Sequence, residues 1–283
     1  MTFLPMGELL QSALAGGYAV PSFCVWNAET MNVVLATAAD LKAPVILMGG
    51  PCEFSLLKPA AMAAVARTVA RRYRVPAALH LDHGDSVALV RECLKAGYTS
   101  VMLDYSARPY AENVAALRTV VALARRKGVT VEGEIGAVGR ADTVIDEGGK
   151  VSRLTEPAEA EAYARETGVD ALAVAIGNAH GIYSRLPQFD FERLAAIRAR
   201  VGIPLVLHGG SGTPAADLTR AIGLGMVKVN VASELVQALR QTLLDQWGAA
   251  RNLWAPVALA EATAAIGPVV AKWIRLLGAA GKV

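Results

Sequence analysis

The sequence has little of what marks a secreted, membrane or nucleic-acid-binding protein. Only 3 of its 283 residues are cysteines, and they lie in or beside apolar segments, so we expect free thiols and a reducing, cytoplasmic location. The N-terminus lacks a basic leading region and no apolar run reaches about 18 residues, which argues against secretion and membrane insertion. A net charge of +3, with scattered lysines and arginines, gives no reason to expect a nucleic-acid partner.

The composition that is present is typical of one well-filled globular domain. Hydrophobic residues make up 54% of the chain and charged residues 19%, which is enough apolar material for a large core. The length of 283 residues is ordinary for an α/β barrel. We therefore expect residues 1–283 to form a single domain.

Short runs rich in valine, isoleucine and leucine alternate with amphipathic, alanine-rich stretches. Runs of this kind are typical of parallel strands that are buried on both faces. The alanine-rich stretches predict helices, and glycine follows most of them at the C-cap position. These predicted helices include residues 59–73, 111–127, 157–167 and 213–223. The predicted strands are residues 18–23, 43–49, 77–82, 100–104, 130–136, 171–177, 204–209 and 226–231.

Eight strand-then-helix units favour a closed (β/α)₈ TIM barrel, an α/β fold, over an open doubly wound sheet. The sequence has neither GxGxxG after the first strand nor GxxxxGK[ST], which removes the usual nucleotide-binding forms of the open sheet. The active site of such a barrel lies at the carboxyl ends of its strands. We expect the polar connection at residues 137–156 to lie at that end, and residues 250–283 to add a C-terminal helical segment.

Three of the four histidines, His83, His180 and His208, lie at or just after the ends of predicted strands. The carboxyl ends of barrel strands meet at one mouth, so these side chains are expected to converge there. Three imidazoles can form an open catalytic metal site that leaves a position for water or substrate. Zinc is the leading candidate, although imidazole also suits iron, nickel, cobalt and copper. His80, inside a strand, is predicted to be structural.

Several carboxylates accompany these histidines. Asp82 and His83 can both face the mouth only if the strand ends or bulges there, and Gly84 permits a sharp exit. Glu132 and Glu134 share one face of the fifth strand, which calls either for a buried Lys or Arg partner or for a cation in the mouth. Asp104, at the end of the fourth strand, invites the same interpretation.

The seventh and eighth strands are each followed by a short turn that precedes a helix. Backbone amides at such turns bind phosphate, and the recurrent phosphate site of the barrel uses these same two loops. The residues that form these turns are Gly209, Gly210 and Ser211 after the seventh strand, and Asn230, Val231, Ala232 and Ser233 after the eighth.

These motifs together resemble the class II, metal-dependent ketose-bisphosphate aldolases. They are "LHLDHG", "VEGEIG", "AIGNAHGIY", "LHGGSG" and "KVNVASEL", which occur in the family's order and span nearly the whole chain. The family includes fructose-bisphosphate and tagatose-bisphosphate aldolases, and "VNVAS" is more similar to the tagatose type. The resemblance implies reversible cleavage of a phosphorylated ketose to dihydroxyacetone phosphate and an aldehyde, with zinc as the Lewis acid.

The resemblance also implies roles for individual residues. The implied metal ligands are His83, His180 and His208. Asp82 matches the acid that protonates the acceptor aldehyde oxygen, while Glu134 and Asp104 match carboxylates that bind metal in an alternate or second position. The residues implied for the phosphate, with a monovalent cation beside them, are Gly181, Gly209, Ser211, Asn230 and Ser233.

The departures from the family pattern lie on the acceptor side. The aligned acid of the loop after the fifth strand is Asp142, where the family usually has Glu, and Arg140 adds a cation. Cys24 stands where the family often has Asn, and Gly50 where it often has Ser or Thr. The positions that replace a smaller, less charged stretch after the fourth strand are Tyr105 and Arg108. A non-standard aldehyde is therefore expected.

Two other functions are compatible with these residues. One is a sugar-phosphate epimerase or isomerase that works through an enediolate, and the other is a non-catalytic accessory subunit. The three histidines and Asp82 argue against the accessory subunit, since such a protein needs no metal. A phosphorylated sugar is the expected partner, and the family relation leads us to expect a homodimer or homotetramer.

Overall fold

A closed barrel of eight parallel strands forms the centre of the computed structural model, which describes residues 3–140, 153–181, 186–249 and 254–283. Around the ring the strand order is β1-β10-β9-β7-β5-β4-β3-β2, while β6 and β8 form a separate parallel pair. The strands are β1 (Val20–Cys24), β2 (Val45–Gly49), β3 (Ala77–Gly84), β4 (Ser100–Leu103), β5 (Thr130–Ile135), β6 (Gly139–Arg140), β7 (Ala171–Val174), β8 (Ala179–His180), β9 (Leu205–Leu207) and β10 (Met226–Val231). The predicted TIM barrel is confirmed.

The helices surround this ring and cover its outer face. They are α1 (Met6–Gly16), α2 (Ala28–Asp40), α3 (Pro59–Ala70), α4 (Val87–Ala96), α5 (Tyr110–Arg125), α6 (Pro157–Thr167), α7 (Phe191–Arg200), α8 (Ala215–Gly223), α9 (Ser233–Gly248), α10 (Ala255–Ala264) and α11 (Ile266–Leu276). A side chain caps the start of three of them: Ser86 accepts a hydrogen bond from Leu89 N before α4, Asn27 and Thr30 form a capping box at α2, and Asp190 accepts from Arg193 N before α7.

The amino end of the barrel is closed by the first segment of the chain. Leu4 N donates to Ala77 O at the start of β3, and Gly7 N donates to Thr130 Oγ1 at the start of β5, each at 2.8 Å. Met6 is fully buried. Because this end is covered, the open end of the barrel is the carboxyl end of its strands.

The C-terminal segment consists of two helices, α10 and α11, rather than one. The stretch Ala255–Leu276 is long and apolar enough, by length and composition only, to cross a membrane, but core helices of soluble proteins meet the same test. Here Val270, Trp273 and Ile274 are fully buried in the hydrophobic core, and Ala19 N donates to Leu277 O beside β1. The segment is therefore an integral part of the barrel's outer layer.

Candidate active site

Asp82 and His83 face the cavity together because β3 bulges before it ends. The register with β4 shifts between Leu81 and Gly84, and His83 adopts a left-handed backbone with φ of 43°. A Cβ on Gly84 would lie 2.6 Å from Met102 O of β4, so only glycine allows this close approach. The bulge turns two consecutive side chains toward the same space.

The three predicted histidines meet at the carboxyl end of the barrel. The ring centroids of His83 and His180 lie 4.9 Å apart, those of His83 and His208 4.6 Å, and those of His180 and His208 5.8 Å. One nitrogen from each ring lies within 4.8 Å of the other two. This spacing suits three ligands of one ion.

Within the described residues, the nitrogens that would face such an ion make no hydrogen bond of good geometry, although His208 Nδ1 lies 3.2 Å from Glu134 Oε2. They are His83 Nε2, His180 Nε2 and His208 Nδ1, and all three are buried. The opposite nitrogens of two rings are held, because His83 Nδ1 lies 2.9 Å from Asp104 Oδ2 and His208 Nε2 lies 2.8 Å from Glu132 Oε1. Buried unpaired nitrogens on rings oriented by carboxylates are typical of metal-ligating histidines, so the residues fit a divalent cation.

The main chain around His180 is held by a buried asparagine. Asn178 accepts from Ile176 N and donates to His208 O, each at 2.9 Å, and is 1% exposed. It therefore ties the loop that carries His180 to the residue that carries another candidate ligand. Asn178 was not predicted as a site residue, although an Asn directly after "AIG" at a strand end indicates a side chain that can hold the main chain there.

The imidazoles affect one another's protonation. Burial lowers the pKa of His180 well below its ordinary value, and the neighbouring His83 and His208 lower it further. Burial also opposes protonation of His208, but its contacts with Glu132 and Glu134 raise its pKa to about 10. In His83 the same burial is outweighed, chiefly by Asp82, and its pKa is raised. A metal must displace these protons, so metal binding and proton release are coupled.

Asp82 is held as an anion beside the histidine cluster. Asn230 Nδ2 donates to Asp82 Oδ1 at 2.9 Å, and His83 Nε2 lies 4.0 Å from Asp82 Oδ2. Burial would raise the pKa of Asp82, but His83 and His80 lower it well below its ordinary value. An ionised carboxylate at this place can accept a proton from a hydroxyl group of a ligand.

Glu134 and Asp104 lie against the same cluster. Glu134 Oε2 is 3.2 Å from His208 Nδ1 and, among the described residues, has no hydrogen-bond partner. Asp104 Oδ1 accepts from Ser106 Oγ at 2.6 Å, which fixes the carboxylate that contacts His83. Ligand atoms of His83, Asp104 and Glu134 also lie within 4.8 Å of one another. The geometry thus permits a second or alternate cation position.

The sequence called for either a buried cationic side chain or a bound cation beside Glu132, and the structure shows a buried cationic side chain. Lys228 Nζ donates to Glu132 Oε2 at 2.8 Å, and both side chains are fully buried. His80 is also fully buried, with Nδ1 2.8 Å from Ser100 Oγ, as expected for a structural histidine. Lys228 was not predicted as this partner. It lies two residues before Asn230 on the same face of its strand, which indicates a lysine that points into the barrel and can pair with a buried acid.

Most of the predicted phosphate residues line one cavity of about 890 Å³, together with Asp82 and the candidate metal ligands His83 and His180. They are Gly181, Gly209, Ser211, Asn230, Ala232 and Ser233. Helix α9 begins at Ser233, which lines the cavity, so the positive end of the helix dipole lies beside the predicted phosphate residues. The structure does not bring Gly210 and Val231 to the cavity: Gly210 N donates to Asn230 O, and Val231 is fully buried.

The turn that carries Ser211 is fixed by the first turn of α9. Glu234 N donates to Ser211 Oγ at 3.3 Å, and Gly212 N donates to Glu234 Oε1 at 2.9 Å. The other oxygen of Glu234 accepts from Lys272 Nζ at 2.9 Å and from Trp273 Nε1 at 3.0 Å. Glu234 therefore joins the predicted phosphate turn to helix α11.

The far side of the cavity carries the residues that depart from the family pattern. Cys24 Sγ lies 3.3 Å from Glu53 Oε1, and Gly50 N donates to Glu53 Oε2 at 2.8 Å. A Cβ at Gly50 would lie 2.5 Å from Asp82 O, so serine does not fit there without movement. Arg108 stacks at 4.1 Å over the ring of Tyr105. Glu53 was missed by the sequence analysis, although it follows β2 at the same end of the barrel.

Asp142, predicted to be the acid of the long loop, lies outside the described residues. The backbone just before that loop is described as β6, which pairs with β8 so that residue 140 is opposite His180. Strand β6 therefore ends at the level of the candidate metal ligand His180.

The fold and the cavity at its carboxyl end define a barrel enzyme with a candidate metal centre, and comparison with known proteins identifies its family. A family model described as "Fructose-bisphosphate aldolase class-II" matches residues 4–282. The YdjI aldolase from Escherichia coli K12 is similar, with 31% identity over 99% of both chains and a TM-score of 0.88. This chain belongs to the class II fructose-bisphosphate aldolase family, and it is an aldolase, a carbon–carbon lyase.

Two further solved structures agree with this assignment. A putative fructose-1,6-biphosphate aldolase from Coccidioides immitis is 28% identical, over 97% of this chain and 96% of that one, with a TM-score of 0.85. Fructose-bisphosphate aldolase (Fba) from Campylobacter jejuni is 20% identical over 100% and 97%, with a TM-score of 0.83, and supports the fold alone. Aldolases of this class are metal-dependent, and the described histidines and carboxylates include groups that could bind a metal.

Proposed function

We propose that this protein is a zinc-dependent aldolase that cleaves a phosphorylated ketose, similar to fructose or tagatose 1,6-bisphosphate, to dihydroxyacetone phosphate and an aldehyde. The observation that carries the proposal is the set of three buried, convergent ring nitrogens, on His83, His180 and His208, beside the ionised Asp82. A tagatose-type preference, from "VNVAS", is part of the same proposal. The reaction is reversible.

The three histidines would hold the divalent ion, with Glu134 and Asp104 available for an alternate or second position. When bound, such an ion acts as a Lewis acid that polarises a carbonyl group and stabilises the negative charge that develops on its oxygen. The protein supplies rigid orientation, since Asp104 and Glu132 fix two of the rings from behind.

Asp82 would move the proton of the C4 hydroxyl. In the cleavage direction the ionised carboxylate takes this proton while the C3–C4 bond breaks, and in the condensation direction it returns the proton to the aldehyde oxygen. Asn230 donates to the same carboxylate and so fixes its direction. Asp142 would exchange the proton at C3, with an arm one methylene shorter than the usual Glu.

The phosphate of dihydroxyacetone phosphate would be held at the start of α9. Ser211 is 2% exposed, and its hydroxyl is already anchored by Glu234 N, so the turn is in place before substrate arrives. The remaining contacts proposed are backbone and side-chain groups of Gly181, Gly209, Asn230, Ala232 and Ser233. A monovalent cation would accompany this site.

The acceptor half of the cavity is where a non-standard aldehyde would bind. Glu53 offers a carboxylate in the space where the family often has a serine or threonine hydroxyl, and Arg108 supplies a cation at the rim. These groups would contact the hydroxyls and the terminal group of the aldehyde. They give a physical reason for a substrate that differs from fructose 1,6-bisphosphate.

The test is a panel of ketose 1-phosphates and ketose 1,6-bisphosphates assayed with zinc present for released dihydroxyacetone phosphate. At least one member should yield the three-carbon product, and the variant His180→Ala should yield none under the same conditions. An isomeric sugar without any three-carbon product would instead support the epimerase or isomerase function. Failure on every member would contradict the proposal.

A homodimer or homotetramer in the cytoplasm is proposed for the assembly. The apolar side chains of Leu244, Trp247 and Trp254, exposed by 50%, 46% and 73%, lie on the C-terminal helical layer, where a second copy would cover them. Light scattering on the purified protein measures the mass directly, and a mass of one chain, 29.6 kDa, would contradict this assembly.

A further inference from the structure

Behind His208, inside the barrel, lies a pair of opposite charges that no step of the proposed reaction uses. Lys228 Nζ lies 2.8 Å from Glu132 Oε2, and Glu132 Oε1 lies 2.8 Å from His208 Nε2. All three side chains are fully buried. Burying two charges is costly unless their partners are well placed, so the pair requires an explanation.

The two charged residues reach each other across the interior of the ring. Lys228 is on β10 and Glu132 is on β5, and in the barrel these strands are separated by β9 and β7. The pair is therefore not a neighbouring cross-strand contact. It occupies the layer of the barrel directly beneath the histidine cluster.

The ammonium group of Lys228 lies beside another cluster of potential metal ligands, distinct from the two clusters described above. Ligand atoms of His80, Asp82 and Glu132 lie within 4.8 Å of one another, which is the spacing of a metal site. Lys228 Nζ lies 3.3 Å from His80 Nε2 as well as 2.8 Å from Glu132. The chain itself thus supplies the positive charge at this place.

The hydrogen bonds around the pair run in one consistent direction. Lys228 can only donate, so His80 Nε2 accepts, His80 Nδ1 donates to Ser100 Oγ, and Ser100 donates to Met6 Sδ at 3.4 Å. Each oxygen of Glu132 then has one partner, Lys228 on one side and His208 on the other. The carboxylate cannot rotate without losing one of them.

We propose that the Lys228–Glu132 pair is a positioning unit that holds His208 with its proton on Nε2 and its Nδ1 lone pair directed at the metal. A carboxylate that is bonded to an ammonium group can only accept from His208, so Nε2 must be the donor. The remaining nitrogen, Nδ1, is buried without a hydrogen bond of good geometry and lies 3.2 Å from Glu134 Oε2, the carboxylate of the alternate cation position. The inference rests on the proposed function, since it assigns these residues to the same metal centre.

The test compares zinc affinity among variants by competition with a chelator of known affinity. Lys228→Met, Glu132→Gln and the double variant should each bind zinc about 10- to 100-fold more weakly than the wild type. Because Lys228 acts through Glu132, the double variant should be no weaker than Glu132→Gln. The absorption spectrum of the Co²⁺-substituted protein should change in all three variants, since it reports ligand geometry.

A matched control separates positioning from general destabilisation. Val227 is a buried neighbour of Lys228 on the same strand, so Val227→Ala should lower the thermal midpoint while zinc affinity and the Co²⁺ spectrum stay unchanged. Lys228→Met leaves the charge of Glu132 unpaired. If this variant does not fold, the double variant Lys228→Met/Glu132→Gln provides the test, because it leaves neither charge of the pair in the core. The double variant should still lose at least about tenfold in zinc affinity.

The outcomes distinguish this inference from the proposed function. A wild-type protein that binds no zinc overturns both. The positioning role alone is overturned if the wild type binds zinc and cleaves a ketose phosphate, but the variants keep the wild-type zinc affinity and Co²⁺ spectrum. Losses that multiply in the double variant would show that Lys228 does not act through Glu132, and would overturn it as well.

Discussion

Replacing Asp82 by asparagine removes one proton acceptor while leaving the shape of the site intact. Asn230 Nδ2 donates to Asp82 Oδ1 at 2.9 Å, and the amide oxygen of an asparagine at position 82 can accept the same bond. The three histidines are untouched, so we expect zinc content to stay at the wild-type level. Only the transfer of the C4 hydroxyl proton should fail.

The magnitude of the Asp82→Asn effect follows from the role of the carboxylate. General acid–base groups contribute about 10²- to 10⁴-fold in rate, which corresponds to about 2.7 to 5.4 kcal/mol of transition-state stabilisation. The value for Asp82 should lie toward the upper part of this range. The lowered pKa of Asp82 keeps its carboxylate ionised, and the hydrogen bond from Asn230 Nδ2 holds that carboxylate in place.

The assay is steady-state cleavage with zinc content measured on the same samples. We expect kcat to fall by about 10³-fold or more while the KM for substrate changes by less than about threefold. A variant with full zinc content and a kcat within about threefold of the wild type would refute the role of Asp82. Loss of zinc in parallel with activity would show that Asp82 supports the metal instead.

Three further predictions use other parts of the molecule. Exhaustive chelation should abolish cleavage and added zinc should restore it, and activity that survives chelation would contradict a metal-dependent site. Gly84→Ala should destabilise the protein by about 1 to 3 kcal/mol in thermal unfolding, because its Cβ would meet Met102 O at 2.6 Å, whereas Gly202→Ala, with open space around it, should be nearly neutral. The pKa of Glu234 is lowered from 4.5, chiefly by Lys272 against the opposing effect of burial, so its contribution to stability is present above about pH 4.5 and is lost as the pH falls through the folded-state pKa. Glu234→Gln should therefore flatten the acid limb of the stability–pH curve, and an unchanged limb would exclude this contribution.

The sequence predicted the barrel and the convergence of the histidines for the same reason. Buried parallel strands are read from apolar runs, and the barrel rule then brings every strand end to one mouth, so His83, His180 and His208 converge without any knowledge of coordinates. The adjacency of Asp82 and His83 also required that the third strand end or bulge there, and the structure shows a bulge. Local pattern and topology were enough for these residues.

The parts that could not be predicted depend on contacts distant in the chain. Lys228 and Glu132 are 96 residues apart, and nothing in either segment names the other as its partner. Glu53 and Cys24, 29 residues apart, meet only because β1 and β2 are neighbours in the ring. Residue type and spacing indicate that a buried charge needs a partner, but only the assembled barrel shows which one it has.

The salt bridge between strands five and ten also bears on whether this chain can be divided. An N-terminal fragment that stops after β5 would carry the acid of the pair without its lysine, and the complementary fragment would carry a lysine suited to burial without its acid. Neither portion could form a dry interior of its own, because an uncompensated charge in apolar surroundings is strongly unfavourable. We therefore expect the barrel to fold as one cooperative unit, and we expect neither fragment to fold stably on its own.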